Sequence, residues 1–161
     1  MQFIDRAIKY LGYFTAFVLS LLVLLIVYDA TARYLFATGS VALQELEWHL
    51  FDVVILFGIA YALREDSHVH VDIFYASFSQ KTKALLGIIS SLFFVLPFSL
   101  LLVYIGVDFV SMSFAQNEAS SDPGGLEYRF LVKSLLPLSF AFLVLQSIKE
   151  AQVNFVKWKS L

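Results

Sequence analysis

The sequence predicts an all-α integral membrane protein with four transmembrane helices, and three observations carry that prediction. Residues 11–28 and 84–107 contain no charged side chain over 18 and 24 positions, against the roughly 20 apolar residues needed to cross a hydrocarbon core. Two further stretches, 41–63 and 126–148, are nearly as apolar, the first carrying acids in its opening half and the second Arg129 and Lys133 near its start. Composition agrees, because 15% charged and 60% hydrophobic residues stand far from the roughly 25% charged content of a soluble domain.

The first span, about 11–35, follows Arg6 and Lys9 and precedes the small residues Ala30 and Ala32. A cleaved signal would look similar, but its apolar core is only about 7 to 15 residues, and Asp29 sits inside the would-be cleavage site. The segment is therefore read as a retained helix. In the second span, 41–63, Glu45, His49 and Asp52 share one helical stripe at i, i+4 and i+7, while Glu47 points away. If Trp48 marks the outer interface, Asp52 lies about one turn deeper, where a charge costs roughly 2.5 to 3.5 kcal/mol. Asp52 must then be protonated, paired or wet. Arg33, Lys133, His49 or a cation on another subunit are its expected partners, and an ion or proton site is the alternative.

Between the second and third spans lies a connector, 64–83, in which His68, His70 and Asp72 alternate with Val69, Val71 and Ile73. An extended backbone would put three polar groups on one side and three apolar ones on the other. Two histidines and one aspartate make an incomplete first shell for zinc, so the expectation is an interfacial connector in contact with membrane lipids. Residues 73–79, with Phe74, Tyr75 and Phe78, then read as a short helix or turn lying flat on the membrane. Ser79 is positioned to cap the third span, 84–107. Pro97 in that span and Pro137 in the fourth, 126–148, are expected to kink or loosen their helices. The outer turn, 117–125, holds Ser120-Ser121-Asp122-Pro123-Gly124-Gly125, whose proline and glycines predict a sharp, rigid hairpin tip. The lysine-rich 149–159 stretch reads as an interfacial tail.

Charge asymmetry orients the spans. Arg6, Lys9, Arg64, Lys81, Lys83, Lys149, Lys157 and Lys159 fall on one side of a four-span chain, and only Arg33, Arg129 and Lys133 on the other. Both termini are therefore expected in the cytoplasm, leaving an acidic outer rim. The chain has no cysteine, which excludes a disulfide framework and a thiolate metal site. Its net charge of -2 predicts no nucleic-acid partner, and no Gly-rich phosphate loop or nucleophile elbow is present.

Taken in order, Leu43-Gln44-Glu45-Leu46-Glu47-Trp48 followed by Gly58, then His68-Val69-His70-Val71-Asp72-Ile73-Phe74-Tyr75, then Asp122-Pro123-Gly124-Gly125-Leu126 with Arg129, then Lys133-Ser134-Leu135-Leu136-Pro137 with Gln146, resemble the small membrane subunit of tripartite ATP-independent periplasmic (TRAP) transporters. The resemblance covers nearly the whole chain. It departs from the family pattern at Asp52, where that helix is usually apolar, and at Ser121, where a proline often stands. The resemblance implies a non-enzymatic scaffold in the bacterial inner membrane that binds the large membrane subunit, to which a periplasmic solute-binding protein delivers an organic anion. It also implies that the sodium ions belong to the large subunit and that this chain holds no cofactor. Arg33, Glu45, Glu47, Trp48, Asp52, Arg64, His68, Asp72, Asp122, Pro123, Gly124, Gly125, Arg129 and Lys133 are the candidate structural or partner-contact residues.

The rival class is a haem-binding membrane anchor of an electron-transfer complex. It needs axial histidines inside the spans, and only His49 comes close. A free-standing channel is a third class, for which one deep acid in four short spans supplies no evident pore.

Overall fold

The computed structural model describes residues 2–65 and 77–161. Four helices long and apolar enough to cross a membrane account for most of them: α1 (Gln2–Phe36), α2 (Val41–Arg64), α3 (Gln80–Ala115) and α4 (Phe130–Ser160). The described residues include no strand. Most of the connector lies outside the described residues, His68, His70 and Asp72 among them.

Local chemistry explains the helix boundaries. The Ser40 hydroxyl accepts the Leu43 N–H at 3.4 Å at the start of α2, and the Ser79 hydroxyl accepts the Thr82 N–H at 3.2 Å at the start of α3, each satisfying a donor the helix cannot. Helix α4 opens at Phe130 because Leu126 is held in the preceding loop, and it continues through the lysine-rich stretch expected as a tail. In α3 the segment Ser90–Val95 widens to π-helical geometry immediately before Pro97. Proline supplies no N–H and its ring crowds the preceding turn, so a wider turn relieves both problems. Pro137, by contrast, sits inside an unbroken α4.

Helix α4 is the hub. It packs against each of the other three helices, while α1 rests chiefly on α2. The most apolar window of α4 is 28% buried, against 17%, 17% and 11% for those of α1, α2 and α3, which makes α3 the helix most open to its surroundings. Between lipid-embedded helices there is little hydrophobic drive, so close backbone approach through small residues has to hold them. Ser99, Gly106 and Ser113, each seven residues apart, are buried along α3. A Cβ on Gly106 would stand 3.1 Å from the Pro137 ring of α4. Along α1 the buried positions Ile8, Thr15, Leu22 and Asp29 repeat every seventh residue, and Gly12 lets the Tyr61 ring of α2 pass where a Cβ would be 2.4 Å away. A period of seven on a 3.6-residue helix is the pattern of shallow left-handed crossings.

At the end holding the chain termini, Asp5 joins three helices. Its carboxylate accepts Arg64 Nε of α2 at 3.0 Å and Lys149 Nζ of α4. Gln146 of α4 is fully buried, and among the described residues neither of its amide atoms has a hydrogen-bond partner.

Candidate functional site

The polar chemistry of the described residues concentrates at the opposite end, where α1 turns into α2 and where α3 is joined to α4. The joining loop is built by its own sequence. Gly125 N–H donates to the Asp122 carbonyl at 3.0 Å, and Gly124 has φ 81°. That combination, with Pro123 ahead of the glycine, is a type II turn, in which the third residue must adopt positive φ. Below the turn, Ser120 N–H donates to the Leu126 carbonyl at 3.0 Å and Arg129 N–H to the Glu118 carbonyl at 2.9 Å, so the two limbs run back as a short hairpin. Asp122, Pro123 and Gly124 at its tip are exposed.

Glu45 of α2 fastens this hairpin from beneath. One carboxylate oxygen accepts from the Ser120 hydroxyl and from Arg129 Nη2 at 3.2 Å; the other accepts the Leu126 N–H at 2.6 Å. The glutamate is buried, at 9% relative exposure, and its two oxygens serve three donors from another part of the chain. Gly125 is required for this approach, because a Cβ there would lie 2.8 Å from the Glu45 oxygen and 2.5 Å from the Ser120 side chain. A second tie joins the loop to α4, where Lys133 pairs with Glu118 while its ammonium sits 4.2 Å from the centre of the Phe109 ring. The ammonium holds the Glu118 carboxyl below its ordinary range.

Between α2 and the start of α4 lies a cavity of about 410 Å³. Glu45, His49 and Asp52, the stripe read from the helical wheel, form the α2 wall with Trp48 at the same side; Asp122, Arg129 and Lys133 lie opposite. Asp52 was expected to pair with Arg33, Lys133 or His49. Arg33 instead pairs with Asp29 one turn away in α1, and Lys133 with Glu118. Asp52 makes no ion pair with any described residue; it lines this cavity and interacts electrostatically with His49 on its own helix. Once its amide oxygen is turned toward Arg33, Gln44 accepts from Nη2 at 2.8 Å. Arg33 thus links α1 to α2, although Asp29 remains buried with one oxygen unpartnered among the described residues. Glu47 does not line the cavity and also has one buried oxygen without a partner among the described residues. Arg64 belongs to the Asp5 cluster at the far end.

The sequence reading did not place Ser120, Glu118, Asp5, Asp29 or Lys149 among the site residues. Of their contacts, only the Asp29 and Arg33 pair, four apart on one helix, has a sequence signal. Among the described residues, no three His, Cys, Asp or Glu side chains gather as metal ligands would.

Residues 22–155 match the family model of the tripartite ATP-independent periplasmic transporters, DctQ component. A protein of Haemophilus influenzae (strain ATCC 51907 / DSM 11121 / KW20 / Rd) described as a TRAP transporter small permease protein is 21% identical over 147 residues, spanning 91% of this chain and 86% of that protein. Four membrane-crossing helices and this match identify a multi-pass protein of the inner membrane. The chain belongs to the DctQ component family of tripartite ATP-independent periplasmic transporters.

Proposed function

We propose that this subunit is the fixed scaffold of a sodium-driven importer of an organic acid, binding and stabilising the large membrane subunit and presenting a periplasmic face to the solute-binding protein. The observation that carries this reading is the loop clamped by Glu45. An exposed Asp122-Pro123-Gly124 tip on a buried anchor is pre-organised, so a partner meeting it loses little conformational freedom on docking. The positive-inside distribution supports a cytoplasmic location for both termini, which puts the tip on the periplasmic side. The bundle itself supports a stationary role. Its four long helices are tied at one end by Asp5 and at the other by Glu45, and a helix that moves substrate would have to break such ties in each cycle. Among the described residues no pair of discontinuous helices meets at mid-membrane, the usual transporter site. Sodium and substrate sites then fall to the large subunit, and the choice of organic acid to the binding protein.

Reconstitution tests the assignment. Proteoliposomes should take up an organic acid, driven by an inward sodium gradient, only when the large subunit, this chain and the binding protein are all present. Saturable uptake by this chain alone would overturn the scaffold reading.

A further inference from the structure

We infer that the cavity lined by Asp52 receives a cationic side chain, an arginine or lysine, from the large membrane subunit. This inference rests on the scaffold reading above. The cavity has an unbalanced charge. The arginine and lysine in its wall are already engaged, Arg129 by Glu45 and Lys133 by Glu118, and His49 interacts with Asp52 electrostatically without forming an ion pair, whereas Asp52 and Asp122 form no ion pair with any described residue. The size suits a side chain. Asp52 lies seven residues beyond Glu45, about 10 Å further along α2 at a helical rise of about 1.5 Å per residue, and the opening of about 410 Å³ falls within the roughly 300 to 1,000 Å³ of pockets that take small ligands.

The surroundings favour a protein cation over a free metal ion. Asp52 and Asp122 come from separate elements and do not form part of any three-ligand group among the described residues. Beside the cavity, Trp48 and Phe51 stack edge to face at 6.4 Å and are 68% and 45% exposed. An exposed aromatic pair next to a recessed carboxylate fits a guanidinium or ammonium that stacks on the rings while its head meets the acid. Such an anchor filling a pocket is the usual anatomy of an interface hot spot. Helix α2 spans the membrane, so a partner reaching Asp52 beside these rings is itself a membrane protein.

The test uses the complex co-expressed with its large subunit, together with the full small subunit purified alone. Asp52→Asn should lower the amount of large subunit that co-purifies tenfold or more, Asp52→Glu should retain most of it, and the isolated Asp52→Asn chain should melt with wild type. A photo-cross-linker at Phe51 should form an adduct with a segment of the large subunit containing Arg or Lys. Undiminished co-purification by Asp52→Asn would overturn the inference, as would a lowered melting temperature of the isolated variant, which would assign Asp52 to this chain's own stability. A melting shift of the isolated wild type in sodium chloride relative to potassium chloride, absent from Asp52→Asn, would replace the side chain with a free ion. Failure of the wild-type chain to retain the large subunit at all would instead overturn the scaffold reading beneath it.

Discussion

Gly125→Ala tests whether the clamped loop depends on close approach. The added Cβ would lie 2.5 Å from both Cβ and Oγ of Ser120 and 2.8 Å from the nearer Glu45 oxygen, where ordinary contacts are about 3.5 to 4.0 Å. Roughly 1 Å of displacement is therefore needed on two sides at once. The backbone cannot supply it freely, since the Gly125 N–H is held by the Asp122 carbonyl at 3.0 Å and the next N–H by Glu45 at 2.6 Å. Either the turn opens or the loop lifts off its anchor. Overpacking of this kind costs about 1 to 3 kcal/mol, and for a chain of this length 1 kcal/mol moves the melting midpoint by roughly 2 to 4 °C. The expected fall is thus about 2 to 12 °C for the purified chain in detergent. A double-mutant cycle locates the cause. Ser120→Gly removes the nearest clashing atoms, so Gly125→Ala combined with Ser120→Gly should lose less than the sum of the two single changes, with a coupling of at least about 0.5 kcal/mol. A Gly125→Ala chain that melts within about 1 °C of wild type, or strict additivity in the cycle, would refute the argument that Gly125 is there to admit Glu45.

Two further outcomes follow from the polar contacts. The folded-state pKa of Glu118 lies below its ordinary 4.5 because of Lys133, so its contribution to stability is complete above pH 4.5 and is lost as pH falls through the lowered folded value. Glu118→Gln should accordingly flatten the acid limb of a melting-temperature profile, and parallel acid limbs in the two proteins would remove the pair from the account. Gln146 is fully buried with neither amide atom partnered among the described residues, a state that costs about 1 to 3 kcal/mol, while a same-shaped apolar replacement can be neutral or stabilising. Gln146→Leu should melt no lower than wild type, and a clear fall would mean that the amide has a partner in the membrane.

How much of this was legible in the chain depends on the range of the interaction. Hydropathy over windows near 20 residues fixes the four crossings, because the bilayer imposes its thickness on any segment that enters it. Capping at Ser79 and the turn at Asp122-Pro123-Gly124-Gly125 were equally accessible, being decided by the dihedral limits of a few adjacent residues. The shared face of Glu45, His49 and Asp52 needed only helical geometry. The identity of the family rested on the order of several short motifs, none sufficient alone.

Tertiary structure decided the pairings. Glu45 meets Ser120, Leu126 and Arg129 across separations of 75, 81 and 84 residues, and Asp5 meets Arg64 and Lys149 across 59 and 144. No local rule selects these partners from 11 cations. The same limit explains Asp52, for which Arg33, Lys133 and His49 were plausible partners from sequence: the first two are engaged elsewhere, and His49 interacts with it electrostatically without forming an ion pair. It also explains the central place of α4, whose apolar content resembles that of its neighbours and whose burial follows only from contact with all three. Sequence sets what each segment can tolerate, in lipid or in a turn. Which charge meets which, and which helix is enclosed, depends on distances that exist only after the helices have packed.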